Sequence, residues 1–154
     1  MKKVFLLFTV FALALTFSSC EEETPYVEPT LAEKYKSLNF SSVKIMFPTL
    51  NENIDVYFTI TIDDVVYSNA RNNAVAMTPV NNTVKWTYSS PLVILNSHFD
   101  SPIIIKYYKK TSSEATDVLL KTKFLTVRDF SEVTSLVVKY TDTDLEIEYK
   151  FEKI

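Results

Sequence analysis

The stretch IDVYFTITI, residues 54–62, alternates apolar and polar side chains with a period of two. This alternation is typical of a β-strand that buries one face and exposes the other. It predicts a half-buried strand whose polar side carries Tyr57. The apolar positions are Ile54, Val56, Phe58, Ile60 and Ile62.

The same period continues along the chain on both sides of this stretch. Because each such strand has one apolar face, the strands must pack those faces against each other. The sequence therefore predicts an all-β protein, a two-sheet antiparallel β-sandwich of about eight strands. Residues 31–38 fit either one helical turn or a lead-in strand. The other predicted strands are 43–47, 65–70, 84–88, 92–95, 103–108, 118–127, 136–140 and 145–152.

The chain contains no glycine, although average usage predicts about ten. Without glycine there is no P-loop, no dinucleotide-binding GxGxxG and no GxSxG nucleophile elbow. Turns that need a positive φ must use Asn or Asp. The candidate turns are 51–53, 63–64, 72–73, 81–82 and 142–144.

Residues that carry out chemistry are few. His98 is the only histidine, so multi-histidine metal sites and ordinary Ser-His-Asp triads lack parts. Asp100 is placed to orient the His98 ring, but nothing marks a nucleophile. We predict no catalytic residue, no cofactor and no metal. The formal net charge of −3 and the lack of a basic stripe argue against a nucleic-acid partner.

The N-terminus has the pattern of a signal peptide. Two lysines precede an apolar run over residues 4–17, which is too short to span a bilayer. Ser18, Ser19 and the lone Cys20 follow, and together they resemble the lipobox of bacterial lipoproteins, although Phe17 stands where that pattern prefers Leu, Val or Ile. The resemblance implies cleavage after residue 19 and lipidation of Cys20. The alternative is a secreted precursor with a free thiol.

An acidic run, Glu21, Glu22 and Glu23, follows the cysteine directly. It resembles the export signal of Bacteroidetes lipoproteins that reach the outer face of the outer membrane, so we expect a lipid-anchored, surface-exposed protein. The expected organisation is a signal peptide over 1–19, an acidic and proline-containing tether over 20–33, and a β-sandwich domain over 34–154.

Several short segments resemble strands of C2 domains in their order along the chain. They are DVYFTI (55–60), VVYS (65–68), NTVKW (82–86), IIKYY (104–108), TDVLL (116–120) and the last strand, 145–149. The resemblance covers about residues 42–151 and implies a C2-like sandwich. An immunoglobulin-like or transthyretin-like sandwich is the alternative topology.

The C2 family binds calcium through loop aspartates, and the resemblance implies where those positions fall. Hard oxygen ligands are needed because Ca²⁺ takes six to eight oxygens. Asp55 and Asp117 survive, with Glu114 nearby, whereas Thr49, Lys109 and Thr111 occupy other loop positions. Because Lys109 adds a positive charge, we expect calcium binding to be lost.

The candidate partner-binding residues are Tyr57, Tyr107, Tyr108, Lys109 and Lys110. The last four cluster beside a loop and fit contacts with a partner or lipid headgroups, or a strand end whose charges guard the edge. Trp86 and Tyr88 share parity with Val84, which favours core packing over a carbohydrate platform.

Three functions follow, in order of preference. The first is a non-catalytic binding or structural accessory module, anchored by lipid at Cys20, that contacts an envelope protein or an extracellular ligand. The second is a C2-like, calcium-independent module that contacts membranes. The third is a glycan-active enzyme with paired carboxylates.

Overall fold

The structure is a computed structural model that describes residues 26–154. A single helical turn, α1, precedes nine strands, and 3₁₀ turns lie at Arg71–Asn73, Asn96–His98, Glu114–Thr116 and Val127–Asp129. The bounds are α1 Leu31–Lys34, β1 Tyr35–Met46, β2 Ile54–Ile62, β3 Val65–Asn69, β4 Val75–Met77, β5 Thr83–Leu95, β6 Ile103–Lys109, β7 Val118–Leu125, β8 Val138–Thr141 and β9 Leu145–Lys153.

The strands form two antiparallel sheets. Sheet 1 has the order β5-β1-β9-β8, and sheet 2 has the order β3-β2-β6-β7. The short β4 pairs with the start of β2, while β3 pairs with its end. The predicted all-β, two-sheet antiparallel sandwich is confirmed, with nine strands rather than about eight.

The core lies between the sheets and is built from the alternating apolar positions. All five apolar residues of the 54–62 stretch are buried, as the period predicted. Burying one such side chain contributes about 1.5–3 kcal/mol. The largest fully buried side chains include Phe40, Phe58, Tyr107, Tyr149 and Phe151.

The turn between β2 and β3 solves the glycine problem with aspartate. Asp63 and Asp64 have φ values of 50° and 60°, and they are the positive-φ residues of the described chain. Two consecutive positive φ values in a two-residue hairpin are characteristic of a type I′ turn. The other four candidate turns do not use a positive φ.

Strand β1 begins eight residues earlier than the predicted 43–47 because a bulge hides its period. Its pairing with β9 steps from Phe40 to Ser42 while β9 advances by one residue. The extra residue reverses the parity, so Leu38 and Phe40 are buried on one side of it and Val43 and Ile45 on the other. A search for apolar residues at every second position therefore finds only the part of β1 after the bulge.

Strand β5 joins the two predicted strands 84–88 and 92–95. Its pairing with β1 is irregular between Thr87 and Leu92, and Pro91 lies in this interval. Proline lacks an N–H and is accommodated at edges and irregularities. The three-residue β4 is too short to give a period and was not predicted.

Residues 31–38 contain both of the expected alternatives, since α1 leads directly into β1. Thr30 and Glu33 form a capping box at the start of α1. Leu31 and Ala32 pack against the core, so the last residues of the predicted tether belong to the domain. We call the end of the sandwich where the chain enters the tether end, and the opposite end, where β2 and β7 begin, the far end.

The predicted signal peptide, Cys20 and the acidic run Glu21–Glu23 lie outside the described residues. Within residues 26–154, no helix has both the length and the apolar character needed to cross a membrane.

Candidate functional site

A buried ion pair organises the far end. Arg71 follows β3 and reaches the loop before β7, where its Nε donates to Asp117 Oδ2 at 2.7 Å. The Asp117 carboxylate also accepts the Tyr57 hydroxyl at 2.8 Å and the Thr111 backbone N–H at 2.6 Å. The Asp117 side chain is 2% exposed. We call this cluster of Arg71, Asp117, Tyr57 and Thr111 the Arg71 clamp.

The contacts of the Arg71 clamp set its protonation states. The Arg71 guanidinium, then the N–H of Thr111 and the Tyr57 hydroxyl, hold the pKa of Asp117 well below its usual range. Burial, and next the hydrogen bond to Asp117, raise the pKa of the Tyr57 hydroxyl. The carboxylate is therefore ionised and its acceptor oxygens are engaged by the protein.

The calcium positions implied by the C2 resemblance do not fit calcium. The Asp117 oxygens are held by Arg71, the Lys109 ammonium lies 2.6 Å from Glu52, and Asp55 is exposed. Across residues 26–154 there is no group of three or more acidic, histidine or cysteine side chains that could hold a metal. The Arg71 guanidinium pairs with Asp117 at the position where the resemblance would put a calcium ion. Loss of calcium binding stays a prediction.

Two of the five predicted partner-binding residues are wrong. Tyr57 is 3% exposed, because its hydroxyl turns into the Arg71 clamp and its ring is covered by Tyr108, whose ring centroid is 5.0 Å away. Tyr107 is fully buried, because it lies on the inner parity of β6. Neither side chain is available to a partner.

The other three predicted residues are half-buried and face different neighbours. Tyr108 stacks on Tyr57 on the outer face of sheet 2. Lys109 is paired with Glu52, whereas the Lys110 ammonium has no ion pair with a described residue. The structure therefore does not bring the five residues together as one surface.

The remaining aromatic and histidine candidates have structural contacts. Trp86 packs edge-on against Phe58 and donates its Nε1–H to the Asn73 carbonyl, in agreement with core packing. His98 Nδ1 lies 2.7 Å from Asp63, not from Asp100. Hydrogen bonds from Ser101 and then His98 lower the pKa of the Asp63 carboxyl. In a catalytic triad the nucleophilic serine hydrogen bonds to the imidazole. Ser101 instead hydrogen bonds to the acid, so these three residues do not have the arrangement of a triad.

A half-open cavity of about 370 Å³ lies at the tether end. Phe99 and Phe130 contribute its apolar part. Two acids at its wall, Glu28 and Glu132, share the Lys34 ammonium at 2.9 and 3.5 Å. Such ion pairing differs from the two carboxylates flanking a bond that glycoside hydrolysis uses.

The outer face of sheet 1 is covered by ion pairs between its strands. Glu148 of β9 lies 2.9 Å from Lys85 of β5 and 3.6 Å from Lys139 of β8. Lys139 also contacts Glu146 at 3.2 Å. The exposed apolar residues of this sheet's edge strand β5, Val93 and Leu95, lie toward the tether end. The middle of this face thus satisfies its own charges.

The outer face of sheet 2 is different, because a row of three apolar residues and one threonine, which we call the apolar row, crosses it. Val66, Thr61, Ile104 and Phe124 are successive partners across β3, β2, β6 and β7. Phe124 is 69% exposed and Val66 57%. Farther along β7, Leu119 is 50% exposed opposite Tyr108. Large exposed apolar groups that adjoin one another mark interaction sites.

Sequence reasoning missed Phe124, Leu119 and the Arg71 clamp. A signal for Leu119 was present: Val118-Leu119-Leu120 is a run of three apolar residues that breaks the alternation, and such a run on an exposed strand points to function. Arg71 and Asp117 are 46 residues apart, and no pattern in the sequence indicates that they pair.

The scan of protein-family models gives no match, and no curated protein matches the chain. Among solved structures, the chain is similar to "Structure of a C2 domain", with 10% identity over 77% of this chain and 99% of that one and a TM-score of 0.48.

It is also similar to human GIVD cytosolic phospholipase A2 in complex with methyl gamma-linolenyl fluorophosphonate, with 11% identity over 79% of this chain, 18% of that chain and a TM-score of 0.49. A second structure of that enzyme, with the same inhibitor and terbium chloride, has 12% identity over 79% and 17% of the two chains and a TM-score of 0.47. The chain thus spans less than a fifth of the phospholipase chains. The fold class follows from the two sheets themselves.

Proposed function

We propose that this chain is a lipid-anchored, non-catalytic binding module of the bacterial outer membrane whose outer face of sheet 2 contacts an envelope partner. The unequal outer faces of the two sheets carry the proposal. Sheet 1 pairs its charges internally, whereas sheet 2 exposes Val66, Leu119 and Phe124 to water. An exposed apolar surface is retained at a cost in solubility unless a partner covers it.

The position of the anchor supports a partner that lies alongside the domain. The chain enters at the tether end, and the twelve residues of β1 extend about 40 Å to the far end. Lipid at Cys20 would keep the tether end near the membrane, with the outer face of sheet 2 along the side of the module.

One observation favours the alternative of direct membrane contact. At the far end, Val80 is 97% exposed, and Lys110 lacks an ion pair with any described residue. These groups would meet a lipid surface opposite the anchor. Pelleting of the unlipidated chain with anionic vesicles would support this alternative, and a chain that stays in the supernatant would exclude it.

The anchor and the surface display are tested on whole cells. A Cys20→Ala variant should lose acyl labelling and leave the membrane fraction. Replacement of Glu21–Glu23 by alanine should keep the label but shield the protein from added protease. Equal cleavage of the wild type and the alanine variant would remove the basis for the export signal.

The binding face is tested by crosslinking intact cells and purifying the tagged chain under denaturing conditions. Phe124→Glu should abolish a discrete crosslinked species, because it places a charge in the apolar row. Thr87→Glu, on the exposed outer side of β5 in sheet 1, is the matched control and should leave that species unchanged. Loss of the species only with Thr87→Glu would contradict the proposal.

A further inference from the structure

Strand β7 is an eight-residue edge of the sandwich with one bulge. Among residues 26–154 it pairs only with β6, so the backbone groups on its other side have no strand partner there. The other edges are shorter or interrupted: β3, β4 and β8 have five, three and four residues, and β5 is irregular around Pro91. An edge of this kind is a template for another extended chain.

The outer side of β7 is unusually apolar for an edge. Leu119 and Phe124 are at least half exposed, and Leu120 is 38% exposed. Leu120 is the extra residue of a bulge, since β7 advances from Lys121 to Leu119 while β6 advances by one. The bulge and the inward lysines of β7 are features that limit pairing at natural edges, whereas its outer side offers apolar contacts.

The inner side of β7 is basic. Lys123 lies between Asp142 and Asp144 and 2.6 Å from the latter, and Lys121 is 2.6 Å from the same Asp144 carboxylate. The Lys121 side chain remains 42% exposed. Lys123 is 15% exposed and held by two aspartates, so a strand added beside β7 would set its inner residues next to the exposed Lys121 ammonium, where an acidic residue is favoured and a basic one is repelled.

We infer that β7 receives an extended segment of a partner protein as an added strand, and that this segment alternates apolar residues on the outer side with acidic residues on the inner side. The inference rests on the proposed binding role of this face and adds the mode of binding and the chemistry of the partner. Main-chain hydrogen bonds supply affinity in such strand addition, and the alternate side chains supply specificity.

A second copy of this chain fits the edge less well. Antiparallel pairing of two β7 strands about Thr122 would set lysine opposite lysine on the inner side, because Lys121 and Lys123 are equally spaced from the centre. It would also point the two tether ends in opposite directions, although both anchors belong in one membrane.

The test uses the full chain purified in detergent and two labelled synthetic peptides, one alternating valine with glutamate and the other valine with lysine. Fluorescence anisotropy should show the glutamate peptide binding about tenfold more tightly than the lysine peptide. Hydrogen exchange should show new protection of β7 amides. Phe124→Ser should weaken binding, whereas Leu95→Ser, at a position 53% exposed on β5 of sheet 1, should not.

Three results would overturn the inference: no binding of either peptide, equal binding of both, or protection confined to other strands. A concentration-dependent dimer in analytical ultracentrifugation that Phe124→Ser dissociates would assign the edge to a second copy and also overturn it. The proposed function fails separately, because its test is the crosslinked species on cells. The crosslinked species would still form if the partner bound this face without adding a strand to β7.

Discussion

The outer face of sheet 1 carries cross-strand ion pairs, whereas the outer face of sheet 2 carries the apolar row, with Val66 and Phe124 exposed at its two ends. Both faces belong to antiparallel strands with the same period, so strand geometry does not cause the difference. On sheet 1, Glu146 and Glu148 of β9 both pair with Lys139 of the neighbouring strand β8. On sheet 2, Ile104 and Phe124 meet across β6 and β7. A face whose charges are paired with one another needs no partner, whereas an apolar face is stabilised when a partner removes it from water.

The ion pairs of the two sheets also differ, since Lys123 under β7 is more buried than Lys139 on sheet 1. Lys123 is 15% exposed and binds two aspartates, whereas Lys139 on sheet 1 is 54% exposed and binds two glutamates. Burial lowers the pKa of Lys123, but the hydrogen bonds that its ammonium donates to Asp142 and Asp144 outweigh burial and raise that pKa.

The largest expected effect is therefore on Lys123→Met. It leaves the Asp144 carboxylate, 4% exposed, without one of its two cations, and breaking a buried pair costs about 3–5 kcal/mol. The matched Lys139→Met should cost less than about 1 kcal/mol. Urea unfolding of both variants measures the two changes. Equal losses would show that the two groups of ion pairs do not differ in the way their burial indicates.

The pH dependence of stability sharpens the comparison at the Arg71 clamp. The folded pKa of Asp117 is lowered, so its contribution is fully present above its unfolded pKa of about 3.9 and is lost as pH falls below that value. Asp117→Asn should be less stable at neutral pH and lose less stability on acidification. Thermal unfolding at pH 7 and in acid measures this effect.

Glu152→Gln is the control for that measurement. Glu152 pairs with the exposed Lys36 on sheet 1, so its removal should change the acid slope less than Asp117→Asn does. If Glu152→Gln changed the acid slope more than Asp117→Asn does, the main acid-sensitive contact would lie on sheet 1 and not in the Arg71 clamp.

Phe124→Ser should change stability by less than about 0.5 kcal/mol, because the side chain is 69% exposed in the free chain. The same variant is expected to lose binding. A stability loss as large as that of a core substitution, in the same urea experiment, would mean that Phe124 supports the fold rather than a partner.

The smallest expected effect is that of calcium. Calorimetric titration of the wild type with CaCl₂ should give no binding heat, and the Tm should not change, because the Arg71 guanidinium engages Asp117 at the far end. Micromolar calcium binding would contradict the conclusion that Arg71 takes the place of a calcium ion beside Asp117.

The sequence was sufficient for the fold class because its alternating residues set which face each strand buries. It predicted β2 and β9 almost residue for residue, and the Asp63-Asp64 turn. It did not predict the start of β1 or the continuity of β5, since a bulge at Ser41 and the irregularity at Pro91 interrupt the period. The exposure of Tyr57 was wrong because parity alone does not reveal a buried hydrogen-bond acceptor. Asp117 lies 60 residues away from Tyr57.

The most direct test of the account compares the two outer faces on living cells. Cys20 is the only cysteine of the chain and is expected to be acylated, so Thr122→Cys on sheet 2 and Thr87→Cys on sheet 1 each give one reactive thiol. Maleimide labelling rates on intact cells are divided by those of the purified variants. The account predicts slower labelling on cells at position 122 and an unchanged rate at position 87. Protection at position 87 alone, or at neither position, would contradict it.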